Sequence, residues 1–141
     1  MKALVATDGS PHAQAALEGL VSRLAWFKAP PTVELVTVHA AIPYGRAAAW
    51  AGHDVVEKYY AEESDAAIKP AAELLRARGV DFHAVKLVGE AAHEIVKHAQ
   101  ESGCDLIVMG THGQGAVANL VMGSVTTKVI ALSKVPVLLF R

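Results

Sequence analysis

A chain of 141 residues has the common length of one domain, and at that length roughly 70% of the surface exposed on unfolding can be buried. Apolar residues make up 52% and charged residues 19%, which excludes a disordered chain, while 13 Lys and Arg against 14 Asp and Glu (net −1) give no overall pull toward nucleic acid or an anionic membrane. The single cysteine, Cys104, excludes an intramolecular disulfide and a multi-cysteine zinc site, no run reaches the ~20 apolar residues of a spanning helix, and Ala3–Ala6 is too short for a signal-peptide core, so the expectation is a small soluble cytoplasmic protein.

Short apolar runs alternate with helical periodicity, the rhythm of a parallel α/β sheet. Ala3-Leu4-Val5-Ala6 reads as a buried strand ending at Thr7-Asp8-Gly9-Ser10-Pro11. Ala13, Ala16, Leu17, Leu20, Val21, Leu24 and Phe27 then recur every three or four residues, one face of a helix with Ser10 as N-cap and Pro11 in its first turn. Pro30-Pro31 stops it, and Leu35–Val38 forms the second strand. From Ala40 to about Asp54, glycines and alanines surround Tyr44 and Trp50 without a period, which predicts a long connection. A charged helix follows to about Arg78, with Pro70 expected to kink or interrupt it and Gly79 to end it.

Phe82–Val88 is a third strand whose His83 and Lys86 mark it as an edge. A third helix carries Ala92, Ile95, Val96 and Ala99 and ends near Gly103. Leu106–Met109, apolar throughout, is a central strand. Val125, Val129 and Leu132 mark the last helix before the strand Val135–Phe140, for five strands and four helices without internal repeats.

In an open parallel sheet, ligands bind beyond the carboxyl ends of the strands, where strand order reverses. The segments leaving those ends are Thr7–Ser10, His39-Ala40 and Gly110-Thr111-His112-Gly113-Gln114-Gly115. Glycines in the third let backbone N–H groups approach an anion, and Gly123-Ser124 stands where the last helix begins, at a positive dipole end. Singly, each reads as a turn or a cap; together they point to a phosphate-containing ligand. A Walker A loop is excluded, since no Gly-Lys-Ser/Thr follows. Gly113-Gln114-Gly115-Ala116-Val117-Ala118 matches the dinucleotide fingerprint, but the acidic ribose clamp about 20 residues on would fall in Leu138-Leu139-Phe140.

Gly110-x-x-Gly113, nine residues, then Gly123-Ser124 resembles the ATP-binding signature of the universal stress protein family. The likeness extends through Leu106–Met109, Val125–Phe140, Thr7–Ser10 and Val38-His39, and covers nearly the whole chain. It implies a single universal stress protein domain over residues 1–141: a doubly wound α/β fold, adenine-nucleotide alpha hydrolase-like, with a five-stranded parallel sheet of order 3-2-1-4-5 and four helices. By the same resemblance, Gly110 and Gly113 approach the ribose and phosphates of ATP, bound with or without Mg²⁺, while Gly123 and Ser124 hold phosphate oxygens. Asp8, next to Thr7, lies by the ribose, Val38 pairs with the adenine edge through its backbone, and Met109 lines the pocket. Val125 follows in the same helix, and His112 within the glycine turn is a further candidate. The implied assembly is a homodimer through the last strand, Val137–Phe140, whose only guard is Arg141.

Other constellations carry less. His93 and His98 resemble HExxH with one residue too many, which turns the rings about 140° apart on a helix and away from a shared metal. Ser10 and Ser124 have no evident base, and no hydrolytic triad or catalytic residue stands out. Arg46 and Lys128 are candidate cations for a phosphate, but nothing in the sequence places either one, so hydrolysis is expected to be slow or absent. Cys104 reads as a small apolar residue. The expected role is an ATP-binding regulator or sensor in the stress response, working through an unknown protein partner. The alternatives are an enzyme using a dinucleotide or another nucleotide, or an interaction module without a nucleotide.

Overall fold

A computed structural model describes residues 1–42, 52–113 and 122–141. The elements alternate as the periodicity predicts: β1 (Lys2–Ala6), α1 (Pro11–Val21), a 3-10 turn at Leu24–Trp26, β2 (Thr32–His39), α2 (His53–Ala77), β3 (Phe82–Val88), α3 (Ala91–Glu101), β4 (Leu106–Gly110), α4 (Ser124–Leu132) and β5 (Val137–Phe140). All strand pairings are parallel, and the sheet order is β3-β2-β1-β4-β5. The order implied by the family resemblance is therefore the observed one. Chain connections from β1 lead one way across the sheet and those from β4 the other, so the switch point lies between these two strands.

Strand alternation divides the core into two layers. Val5, Val33, Leu35 and Val108 meet Leu17 and Leu20 of α1 and Ile68 and Leu75 of α2. Leu4, Val36 and Ile107 meet Ile95 of α3 and Val129 of α4 on the opposite face. Leu4, Leu17, Leu20, Leu35, Leu75 and Ile107 are each less than 2% exposed, and burying one such side chain stabilises the fold by about 1.5–3 kcal/mol.

Ser10 caps α1 as expected, its Oγ accepting the Ala13 N–H at 3.2 Å with Pro11 at the first position. The helix is shorter than its apolar period, however. It ends at Val21, where the Ser22 hydroxyl donates to the Gly19 carbonyl at 3.0 Å, and the 3-10 turn carries Leu24 and Phe27 onto the core instead. Pro70 does not interrupt α2, which runs unbroken for 25 residues. One lost backbone hydrogen bond is outweighed by Ile68, Ala71, Ala72 and Leu75, which all pack on the sheet around it. The connection predicted for 40–54 lies mostly in 43–51, outside the described residues, as do Tyr44, Arg46, Trp50 and residues 114–118 of the dinucleotide-like match.

β3 and β5 are the outer strands, and β4 lies between β1 and β5. β5 begins at Val137, two residues later than its apolar run. Its Leu138 and Phe140 pack on one layer and Val137 and Leu139 on the other. The Phe140 ring lies against Gly19 so closely that a Cβ there would overlap it. Leu132, read as part of the apolar stripe of α4, is 44% exposed, whereas Val129 is fully buried. Among the described residues no helix is long and apolar enough to cross a membrane.

Candidate functional site

A cleft of about 1010 Å³ opens beyond the carboxyl ends of β1, β2 and β4, at the upper end of the size of small-molecule sites. All ten residues singled out in the sequence line it: Thr7, Asp8, Val38, Met109, Gly110, His112, Gly113, Gly123, Ser124 and Val125. They come from four elements that the chain separates by up to 118 positions, and the strand order alone brings them together.

The β1–α1 turn is set by Gly9, whose φ of +76° favours glycine. Asp8 Oδ1 accepts the Ser10 N–H at 2.9 Å, and Thr7 Oγ1 accepts the Gly9 N–H at 3.2 Å. A Cβ on Gly113 would stand 2.6 Å from Asp8 Oδ2, so this carboxylate rests against bare backbone of the glycine turn. A Cβ on Gly110 would stand 2.9 Å from the His12 carbonyl oxygen, which explains why β4 ends in glycine where it passes the first turn of α1. His112 stacks obliquely on His12 with centroids 5.5 Å apart, and its Nδ1 lies 3.0 Å from Thr111 Oγ1.

Two bonds hold the glycine turn to the start of α4. The Gly123 N–H donates to the Thr111 carbonyl at 2.8 Å, and Thr126 Oγ1 donates to the Gly110 carbonyl at 3.0 Å. Gly123 is itself the N-cap, so Ser124 is the first helical residue and not the cap. Because the Gly123 N–H is engaged, the donors that α4 offers an anion are the next N–H groups, those of Ser124, Val125 and Thr126, which have no intrahelical acceptor.

Sequence reasoning placed His39 at this end but missed the rest of the opposite wall. Glu63, Ser64 and Ala67 of α2, Thr37 of β2 and Ile95 of α3 also line the cleft. The helical period marked α2 as charged outside and apolar inside, and gave no signal that its middle lines a cleft. His39 packs edge-on against Tyr60, centroids 5.0 Å apart, and the Tyr60 hydroxyl accepts the Ile42 N–H at 2.7 Å. Lys128 reaches the rim, where its Nζ donates to Glu90 Oε1 at 3.1 Å. Glu90 caps α3: the His93 N–H and ring, then Lys128, hold its carboxyl down to about 2. His98, five residues on, turns instead to Glu34. Cys104 is buried, with its Sγ 3.3 Å from Ser102 Oγ.

Set beside known proteins, residues 1–141 match the model of the universal stress protein family. The chain is 32% identical over 148 residues to the universal stress protein YxiE of Bacillus subtilis, covering 99% of this chain and 98% of that protein. Protein MJ0577 of Methanocaldococcus jannaschii superposes with a TM-score of 0.81 at 28% identity, over 98% of this chain and 93% of that one. A universal stress protein solved in complex with cAMP superposes with a TM-score of 0.69 at 26% identity, over 100% and 97%.

Proposed function

From the premise that this chain belongs to the universal stress protein family, we propose that it binds an adenine nucleotide, ATP with or without Mg²⁺, in the cleft and acts as a nucleotide-responsive regulator. One observation carries the reading. The glycine turn after β4 and the first turn of α4 are tied into one surface by Gly123–Thr111 and Thr126–Gly110, and both line the same cleft. Gly113 and the α4 N–H groups would hold phosphate oxygens with the Ser124 hydroxyl beside them. Asp8 accepts from the ribose, and the Val38 backbone pairs with the base. The related structure in complex with cAMP supports an adenine nucleotide as the ligand class.

Among the described residues the cleft carries little positioned positive charge, which supports regulation rather than turnover. Fast phosphoryl transfer needs cations on the developing charge and an oriented water. Lys128, the Lys or Arg side chain that lines the cleft among the described residues, is 57% exposed and engaged by Glu90. Hydrolysis is therefore slow or absent. The chain works in the cytoplasm, a setting supported by its near-neutral charge and lone buried thiol. The position of β5 as an outer strand, with no strand pairing its far edge among the described residues, supports a homodimer formed along Val137–Phe140.

Calorimetric titration of the nucleotide-stripped protein with ATP and Mg²⁺, with AMP and NAD alongside, tests the reading. Micromolar ATP binding that weakens sharply for AMP is the expected result. Tighter NAD binding would move the protein to the dinucleotide-dependent enzymes, and no binding by any of the three would make the glycine turn purely structural.

A further inference from the structure

Six polar or charged side chains are buried among the described residues, and two of them line the cleft without a protein partner. Thr7 accepts from Gly9, Ser10 from Ala13, and Thr126 donates to Gly110, while Glu34 is ion-paired away from the cleft. Thr37 and Ser64, each only 4% exposed, make no side-chain hydrogen bond to a described residue. No fully enclosed side-chain nitrogen or oxygen among the described residues lacks a partner, so these two hydroxyls open onto the cleft they line. A helical Ser or Thr ordinarily returns its O–H to the carbonyl four residues back. Ser102 does so to His98 at 2.6 Å and Thr127 to Gly123 at 2.9 Å, but Ser64 does not.

The fold puts both hydroxyls on one side of the sheet. Thr37 follows Val33 and Leu35 at the strand period of two, on the face that α1 and α2 cover. Ser64 precedes Ile68 by one helical turn on the stripe of α2 that packs on the same face. Ala67 closes the wall, its Cα 3.0 Å from where a Cβ on Gly9 would stand. The phosphate-suited backbone lies on the other side of the cleft, at β4 and α4. An uncharged hydroxyl that both donates and accepts, buried beside Ala67 and set apart from the phosphate-suited backbone, suits the polar edge of a neutral heteroaromatic ring.

We propose that Thr37 and Ser64 read the nucleobase, their hydroxyls hydrogen-bonding the ring nitrogens or exocyclic group of a bound purine. This assignment rests on the nucleotide-binding reading above and adds the side chains that select the base. Its signature is an opposition of signs. A buried hydroxyl without a protein partner stabilises nothing in the free protein, yet it contributes once a ligand satisfies it.

The experiment uses the whole chain with Thr37→Val and Ser64→Ala, titrated with ATP and with adenosine, and melted with and without ATP. Each substitution is expected to weaken ATP and adenosine by the same factor, about 5- to 20-fold. The free protein should melt at an unchanged or higher temperature, and the ATP-bound protein at a lower one. Unchanged affinity in both variants, or a loss for ATP without one for adenosine, overturns the assignment while leaving nucleotide binding intact. Wild-type protein that binds neither ligand overturns both readings together.

Discussion

At the carboxyl ends of β1, β2 and β4 the chain presents glycines, backbone N–H groups and small hydroxyls. Near the amino ends of β1, β2 and β3 it gathers charge instead. Glu34, 7% exposed, accepts from Lys2 Nζ at 3.0 Å on one oxygen, while His98 Nε2 at 3.2 Å and His83 Nδ1 at 3.4 Å approach the other. Lys2 also donates to the Ser102 carbonyl, and its backbone N–H to Asp105. Burial pushes the Glu34 carboxyl up, but the bonds from Lys2, His98 and His83 outweigh it and leave the group below its ordinary value. The same bond to Glu34 raises the Lys2 ammonium. Side-chain charge thus ties β1, β2, β3 and α3 together at one end, where partners are fixed by the fold. At the other, the cleft is lined by the glycine turn and by the first turn of α4.

The sharpest break in this comparison comes from Gly123. Its φ of −71° is ordinary and a Cβ would meet nothing closer than 3.4 Å, so Gly123→Leu leaves the fold standing while its side chain intrudes on the cleft. ATP affinity should fall at least about 100-fold with little change in melting temperature. A Cβ on Gly110 would instead press on the His12 carbonyl, so substitution there costs stability and binding together. Intact ATP affinity in Gly123→Leu would remove the phosphate role from the start of α4.

Glu34→Gln attacks the other end. It leaves Lys2 and both histidines without their carboxylate, and a loss of about 1–3 kcal/mol in urea unfolding is expected, below the range for a fully buried pair because Lys2 and His83 reach solvent. ATP affinity should stay within about twofold. A large binding defect would mean that the two ends are coupled.

The smallest effect is in pH. Glu34 and Glu90 both have carboxyls held below the ordinary value of 4.5, so each stabilises the fold fully above that pH and loses its contribution as pH falls through its folded value. For Glu90 the window runs from 4.5 down to about 2. The melting difference between wild type and Glu90→Gln should be constant at neutral pH, shrink through this window and vanish below it. Lys2, raised by Glu34, works in the opposite direction: its contribution is full below 10.5 and fades as pH rises beyond that value. A Glu90 difference that stays undiminished down to pH 2 would place its role in packing rather than charge.

Local signals carry a long way in this chain. Period and caps mark the strands, the Ser10 cap and the Gly103 stop, because each depends on residues a few positions apart. The spacing Gly110, Gly113, Gly123 marks one wall of the cleft for the same reason, since two adjacent backbone elements suffice to make it. What the tertiary structure alone decided involves partners distant in the chain. Pro70 sits inside a continuous helix because Ile68, Ala71 and Leu75 find a sheet to cover, and the Gly123 N–H is withdrawn from any ligand by the Thr111 carbonyl. Glu34, an unremarked polar residue in an apolar strand, is balanced by Lys2 and by His98, 64 positions away. Thr37 and Ser64 line the cleft only because α2 returns over β2, a packing that neither residue's own neighbours encode. Sequence determines such features only through the whole fold, since burial and hydrogen-bond satisfaction are properties of the packed chain rather than of any segment of it.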